Sequence, residues 1–195
     1  MLLEKVVAQI AERLMKSYPD REIFISNSCK GNGVKLGKAN RKMIEELSAP
    51  GKNVFFRGIE VPKKSWYKVS NFYRTSLNAG VIELCKSLPY FPLADVKNNL
   101  LKLTGINLGE DVTIAPRVQF DYFYPELISI GDNTLIGDGA RLWTHEYGID
   151  YFGIGEIKIG KNVYIGSEAI IGPSEIGDGS KIKARSLVLY GKDFK

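Results

Sequence analysis

The sequence predicts a mainly β protein: a parallel β-helix of about four coils over residues 106–193, preceded by helices and a small basic α/β portion. Two observations support this prediction. From residue 108 onwards an apolar residue recurs every six positions, and a small residue commonly follows it. Upstream of residue 106, apolar residues recur instead every three or four positions, which is the period of amphipathic helices.

The six-residue repeat consists of four sets of three apolar residues. The sets are Leu108, Ile114, Phe120; Ile130, Ile136, Leu142; Ile159, Ile165, Ile171; and Ile176, Ile182, Val188. A second small or β-branched residue stands four places after most of them, as Val112 and Thr134 do. Such spacing describes short strands joined by turns, three strands to a triangular coil, with coils stacked about 4.8 Å apart. It matches the hexapeptide repeat of the left-handed parallel β-helix.

The portion before the coils is predicted to contain helices and short strands. We expect helices at 2–16, 38–47, 79–88 and 92–105. We expect strands at 21–26 and 53–61. Gly105 is the expected C-cap of the last helix. Residues 63–77 mix bases with aromatic residues without clean periodicity, so they receive no assignment.

Length and charge distinguish two portions of the chain. Its 195 residues are 44% hydrophobic and 25% charged, as in an ordinary globular protein. Residues 1–80 hold 15 Lys and Arg against 7 Asp and Glu, whereas residues 81–195 hold 12 against 15. An excess of basic residues fits an anionic ligand, an acidic lipid surface or nucleic acid, and it fits a solvated basic face equally well. We divide the chain into a basic α/β portion (1–78), a helical connector (79–105) and a β-helix domain (106–195).

Several classes of protein are excluded by simple features. No apolar run is long enough to span a bilayer, and acidic residues interrupt the apolar pattern of the first 14 residues, so no transmembrane segment or signal peptide is expected. Cys29 and Cys85 lie far apart without CxxC spacing, which indicates neither a disulfide framework nor a metal site. We expect a cytoplasmic protein that binds no metal and no nucleic acid.

The repeat departs from its period at three places. Four extra residues fall between Phe120 and Ile130, and residues 143–158 replace two whole hexads. The corner at 172–175 is one residue short instead. The only histidine of the chain, His145, lies within the longest interruption. Because loops that leave a rigid scaffold commonly carry function, these interruptions are the first places to seek a site.

The repeat and its flanks resemble the hexapeptide acyltransferase family, in particular the maltose, galactoside and sugar O-acetyltransferases and their streptogramin-modifying relatives. The resemblance lies in LLKLTGINLGEDVTIAPRVQF, ELISIGDNTLIGDGARLWTHE, IKIGKNVYIGSEAIIG and IGDGSKIKARSLVLYGKDF, within residues 95–194. It implies a homotrimer that transfers an acetyl group from acetyl-CoA to a hydroxyl or amine, at sites between neighbouring prisms. The implied acceptor is a small molecule, a sugar or sugar derivative.

The resemblance gives His145 a role. In the family a catalytic histidine follows the second coil in an LTH-like segment, and LWTH (142–145) occupies that place. Attack of a hydroxyl on a thioester needs a base that works near neutral pH, and imidazole is suited to this task. We therefore expect His145 to be the general base, oriented by Glu146, Asp150 or a backbone carbonyl.

The resemblance also assigns acceptor residues in DYFYPE (121–126), which corresponds to a protrusion that contacts the acceptor in the family. Asp121, Tyr122 and Tyr124 are the expected residues, since a carboxylate accepts hydrogen bonds from hydroxyls and aromatic faces pack on sugars. Alternatively, the aromatic residues bury against a neighbouring subunit. The galactoside and maltose enzymes carry asparagines where this chain has IAPRV (114–118), so their particular sugars do not carry over.

The donor site is expected at the corners of the last two coils. The resemblance assigns five residues to it: Ser167, Ala184, Arg185, Ser186 and Lys192. Ser167 stands where the family's GS segment approaches the pantetheine arm of CoA. Lys183 and Arg185 replace two glycines of the family, and they either meet the 3′-phosphate and pyrophosphate of CoA or stay solvated.

Two other functions on the same scaffold can be compared with the sequence, and one of them is excluded. A zinc enzyme of the γ-class carbonic anhydrase kind binds its metal through three histidines, and one histidine per chain cannot supply that set at each subunit interface. The alternative that remains is a non-catalytic scaffold whose basic N-terminal portion binds an anionic partner. It would be favoured if residues 143–158 filled the groove between subunits.

Overall fold

The computed structural model describes residues 2–30, 33–59, 62–88 and 93–189. Its helices and strands are, in chain order, α1 (Leu2–Ser17), β1 (Phe24–Ser26), β2 (Val34–Lys35), α2 (Arg41–Leu47), β3 (Val54–Arg57), α3 (Pro62–Val69), α4 (Phe72–Ser87), α5 (Ala94–Leu103), β4 (Asn107–Leu108), β5 (Thr113–Ile114), β6 (Gln119–Phe120), β7 (Ile128–Ile130), β8 (Leu135–Ile136), β9 (Arg141–Leu142), β10 (His145–Tyr147), β11 (Tyr151–Ile154), β12 (Ile157–Ile159), β13 (Tyr164–Ile165), β14 (Ile170–Ile171), β15 (Ser174–Ile176), β16 (Lys181–Ile182) and β17 (Leu187–Val188). Short 3₁₀ turns lie at Leu36–Lys38 and Pro125–Leu127.

These elements form two compact units. The N-terminal unit comprises residues 1–72 and 145–155, and the β-helix unit comprises residues 73–144 and 156–195. This division differs from the one drawn from the sequence, because residues 145–155 belong to the N-terminal unit and the first boundary lies at 72. The physical reasons are that β11 pairs with β3 and that α4 already begins at Phe72.

The β-helix unit contains three parallel four-stranded sheets, to which each coil contributes one strand. Their orders are β4-β7-β12-β15, β5-β8-β13-β16 and β6-β9-β14-β17. The repeat sets the register, since Ile136 lies between Ile114 and Ile165 of the neighbouring coils. All apolar residues of the repeat are buried. The four coils of the predicted left-handed β-helix are therefore confirmed.

Small residues follow the repeat positions because neighbouring coils approach closely at the corners. A Cβ atom on Gly166 would lie 2.3 Å from the backbone nitrogen of Ala184, closer than real Cβ atoms come. The corner that joins the β5 sheet to the β6 sheet also has one residue of positive φ in each coil. These are Arg117 at 57°, Gly139 at 69°, Glu168 at 59° and Arg185 at 60°.

Helix α5 covers the first coil. Backbone N–H groups bond neighbouring coils in both directions: Ala115 donates to Ile136 of the second coil, and Asn133 of the second coil donates to Glu110 of the first. The first coil has no preceding coil, so those of its backbone groups that face away from the second coil need other partners. The buried Lys97 side chain donates to the carbonyls of Ile114 and Ala115, both at 3.0 Å. Burial lowers the pKa of Lys97. An amphipathic helix with one buried cation thus closes the open end of the coil stack.

The N-terminal unit is built on one antiparallel sheet of order β10-β11-β3-β1-β2. Ile25, Phe56 and Phe152 lie opposite one another on three successive strands, and all three are fully buried. Helix α1 contacts α2 and α3, and it buries one apolar stripe, as its predicted amphipathic period requires. None of the helices in the described ranges combines the length and apolarity needed to cross a bilayer.

Two stretches differ from the sequence-based expectation. Residues 63–77, which supported no assignment, continue as helix α3 and the start of α4. Residues 143–158, expected as an extruded loop, instead contain the hairpin β10–β11, whose second strand pairs with β3 from Tyr151↔Arg57 to Ile154↔Val54. Pairing with a distant strand satisfies the backbone groups that a long loop would leave exposed to water.

Candidate active site

Both long interruptions leave the β-helix at the same corner. Residues 121–127, which we call the first excursion, connect β6 to β7; residues 143–156, the second excursion, connect β9 to β12. Strands β6 and β9 are neighbours in one sheet, and β7 and β12 are neighbours in another. The two excursions therefore begin one coil apart, a separation of about 4.8 Å.

Asp121 joins the starts of the two excursions. Its carboxylate is fully buried. Oδ1 accepts from the backbone N–H groups of Phe123 at 2.7 Å and Tyr124 at 3.3 Å. Oδ2 accepts from both the backbone nitrogen and the hydroxyl of Thr144, each at 2.8 Å. These bonds engage both oxygens with three backbone N–H groups and the Thr144 hydroxyl, so the carboxylate that the sequence assigned to an acceptor is bonded within the protein.

The other two residues assigned to the acceptor differ in exposure. Tyr124 is buried, whereas Tyr122 is half-buried. The Tyr122 hydroxyl donates to the Glu83 carboxylate and accepts from the Gln119 amide at 3.0 Å. Burial, followed by the hydrogen bond to Glu83, raises the pKa of Tyr122 to about 12. Tyr122 therefore stays protonated near neutral pH, and it is the assigned acceptor residue that keeps some exposure.

His145 begins strand β10, one of the two edge strands of the N-terminal sheet. It lies opposite Ile154, and its half-buried ring stacks on Phe152 with 5.7 Å between ring centroids and 27° between ring planes. Tyr147 approaches the imidazole edge-on, with centroids 6.0 Å apart. The only imidazole of the chain is thus held on the apolar face of a sheet, directly after the Thr144 residue that Asp121 binds.

The expected orienting acids lie elsewhere on the hairpin. Successive side chains of a strand point to opposite faces, so Glu146 faces away from the His145 ring. Asp150 is exposed in the turn of the hairpin, where its carbonyl accepts from the Gly58 N–H at 2.8 Å. The sequence reading therefore missed Thr144 and Phe152 as the residues that flank the histidine. A signal for the hairpin was present in HEYGIDYFGI, where aromatic residues alternate on both sides of a turn that contains glycine, but it was not used.

Four of the five residues assigned to the donor site, Ser167, Ala184, Arg185 and Ser186, lie at one corner of the last two coils. Arg185 donates its backbone N–H to the Ser167 carbonyl at 2.9 Å, which brings Ser167 and Ala184 into neighbouring coils. Ser167 and Ala184 are exposed, and Ser186 is half-buried. The Arg185 guanidinium, 81% exposed, pairs with Glu168 at 2.8 Å. Lys192 lies outside the described residues.

The comparisons with known proteins agree with the repeat. Residues 156–184 match the model of the hexapeptide repeat of succinyl-transferase. YvoF of Bacillus subtilis (strain 168), provisionally named an acetyltransferase, is 35% identical over 124 residues, which are 63% of this chain and 70% of YvoF. SAS0727 of Staphylococcus aureus (strain MSSA476), named in the same way, is 40% identical over 81 residues, or 41% of this chain. The match spans 48% of SAS0727.

A solved structure of a maltose O-acetyltransferase from Clostridium difficile 630 is also similar. The likeness covers 78% of this chain and 87% of that chain, at 21% sequence identity and a TM-score of 0.45.

Proposed function

This chain belongs to the hexapeptide-repeat acyltransferase family, and from that premise we propose that it is an acetyl-CoA-dependent O-acetyltransferase acting on a sugar or sugar derivative. The observation that carries the proposal is the position of its only imidazole. His145 directly follows Thr144, whose backbone and hydroxyl are fixed by a buried carboxylate, and its own ring is fixed by stacking. A base placed so firmly, in the interruption of a repeat, has the arrangement that acetyl transfer requires.

In the proposed reaction, His145 both accepts and returns the proton. The His145 imidazole takes the proton of an acceptor hydroxyl while that oxygen attacks the thioester carbonyl of acetyl-CoA. The new C–O bond forms, the C–S bond breaks, and the proton passes from the imidazolium to the departing thiolate. Acetyl ester and CoA are the products, and the imidazole returns to its neutral form.

The proposed acceptor is a sugar because the sequence resembles sugar O-acetyltransferases and because the first excursion offers aromatic surface. Tyr122 and Phe123 are both half-buried there, so part of each ring can pack on the C–H face of a sugar. Asp121 has no part in this contact, since its oxygens are bonded within the protein. For the donor we retain the corner of Ser167, Ala184, Arg185 and Ser186, with Lys192 following it in sequence.

We include a homotrimer in the proposal, with the substrates bound between neighbouring copies. Large apolar side chains on the outer faces of the coils support it: Leu135 is 39% exposed, Tyr164 46% and Leu187 61%. Packing of prisms against one another would remove this surface from water. Light scattering at micromolar concentration tests the point, and a monomer there would remove the shared site.

The test of function is acetyl transfer by the purified chain. We expect labelled acetyl-CoA to acetylate at least one member of a panel of sugars, nucleotide sugars and amino acids. His145→Ala should lower kcat by a factor of about 10²–10⁴, the contribution of a positioned base. Unchanged light scattering and thermal melting of the variant would show that the loss is chemical. A native kcat in His145→Ala would contradict the assignment of His145 as the base. The preferred function would then be a non-catalytic scaffold that binds an anionic partner.

A further inference from the structure

We infer that Phe152 positions His145, and that the N-terminal unit serves to hold the imidazole in its working orientation. The inference rests on the proposed acetyl transfer with His145 as its base. It gives a role to residues 1–72, which share no part of the hexapeptide repeat.

The first step of the argument is that Phe152 is held by the packing around it. It is fully buried, and its strand β11 lies between β10 and β3 in the sheet. Phe152 lies opposite Phe56, which in turn lies opposite Ile25, and each of these side chains is also fully buried. Side chains in a close-packed core sit in rotamer minima, and their neighbours restrict departures from them.

The second step is that the imidazole is held by this fixed ring. His145 stacks on Phe152, with centroids 5.7 Å apart and planes at 27°. Tyr147 contacts both rings, at 6.0 Å from His145 and 4.9 Å from Phe152. Stacking limits rotation of the imidazole about its side-chain bonds, yet it uses neither ring nitrogen. The contact therefore suits a group that must exchange protons from a defined position.

The third step concerns the sheet that supplies Phe152. Strand β11 pairs on one side with β10, which carries His145, and on the other side with β3 from the N-terminal portion. Without β3 and β1 the hairpin would be an isolated two-stranded ribbon, which is marginal in water. The N-terminal unit thus provides the partners that keep the stacking geometry in place.

The experiment compares Phe152→Leu with Phe55→Leu. Both changes remove a buried ring from this sheet, but Phe55 lies on the opposite face from His145. We expect Phe152→Leu to lower kcat by about 10- to 100-fold, the range for small misplacement of a catalytic group. The KM for acetyl-CoA should change by less than about twofold, since ground-state donor binding is untouched. Phe55→Leu should retain native kcat at temperatures where it is folded.

The single histidine supplies a second readout, because its ring resonances need no assignment. Loss of the Phe152 ring should shift the His145 Cε1–H resonance, whereas Phe55→Leu should leave it in place. If Phe152→Leu fails to fold, Phe152→Met is measured instead, because its unbranched, flexible side chain adapts to the space that the ring leaves. Equal kcat and equal resonance positions in the two variants would overturn the inference.

The result also separates this inference from the proposed function. An inactive His145→Ala with a fully active Phe152→Leu leaves His145 as the base and removes only the positioning role. A fully active His145→Ala removes the base and the positioning role together.

Discussion

The two excursions start at the same corner of the β-helix, yet they end in different surroundings. The first is short, turns back through a 3₁₀ turn at Pro125–Leu127, and buries Asp121 among backbone N–H groups. The second enters a different sheet, pairs with β3, and leaves His145 half-exposed on an edge strand. Asp121 of the first excursion fixes Thr144, where the second excursion begins, and the pairing of β11 with β3 fixes the hairpin that carries His145. Two separate restraints therefore act on the short segment that contains the histidine.

The largest effect on this comparison is expected from Asp121→Ala. The change leaves the buried N–H groups of Phe123, Tyr124 and Thr144 without their acceptor. We expect the free energy of unfolding to fall by about 3 kcal/mol, as for loss of hydrogen bonds to a buried charge. Release of Thr144 should lower kcat by about 10²-fold. Urea unfolding and steady-state kinetics measure the two effects.

The same variant decides between the two roles considered for Asp121. A carboxylate that bound the acceptor would, on removal, raise the KM for the acceptor and leave stability near native. Asp178→Ala is the matched control, because Asp178 also accepts a backbone N–H, from Lys161 at 2.7 Å, but at an exposed corner. Native stability in Asp121→Ala would contradict the buried clamp described above.

A smaller effect is expected from Gly153→Ala, which introduces a steric clash in the second excursion and leaves the first unchanged. A Cβ atom there would lie 2.7 Å from Cε1 of Phe55 and 3.1 Å from Cγ of Glu146, so the hairpin or the ring must shift. We expect stability to fall by about 1–3 kcal/mol, as in overpacked sites, and kcat to fall by about tenfold through the displaced hairpin. Thermal melting and kinetics report both changes.

Gly80→Ala is the control for that substitution. It adds the same methyl group within α4, where no atom lies within 4 Å of the new Cβ. An exposed helix interior gains about 1 kcal/mol from this exchange, so Gly80→Ala should be stabilised and fully active. If the two glycine variants behaved alike, the packing of the hairpin against β3 would not be what limits activity.

The smallest effect is expected at the regular corner that carries Arg185. Charge reversal in Arg185→Glu should raise the KM for acetyl-CoA by about two- to fivefold, because an exposed ionic contact contributes little. Dephospho-CoA thioester should be affected less, and kcat should stay native, in contrast with both excursions. Equal changes for the two donors would separate Arg185 from the 3′-phosphate.

The coils were predictable from the sequence, whereas the destination of the second excursion was not. The six-residue spacing alone predicts the buried positions of Ile136 and Ile165, since each coil contacts only its neighbours. The partner of Tyr151–Ile154 is Val54–Arg57, and no local pattern links two strands so far apart in the chain. Helix α4 likewise begins within a stretch whose bases and aromatic residues obscure its period.

The candidate site was predictable to a similar degree. The position of His145 in a family motif identified it, and its structural neighbours Thr144 and Phe152 followed only from the fold. Asp121 shows the limit most clearly. Its residue type and its place in an interruption fit an acceptor contact, but burial against the neighbouring coil, which the sequence does not encode locally, makes it a backbone clamp.

The central claim, that His145 is the base, is tested most directly by comparing two pH profiles of the native protein. One is the ring titration of the only histidine, followed by nuclear magnetic resonance; the other is the ascending limb of kcat/KM for acetyl transfer, which reports the base of the free enzyme. We predict that the two midpoints coincide and that the kinetic limb disappears in His145→Ala. Midpoints that differ, or a limb that survives in the variant, would contradict the assignment of His145.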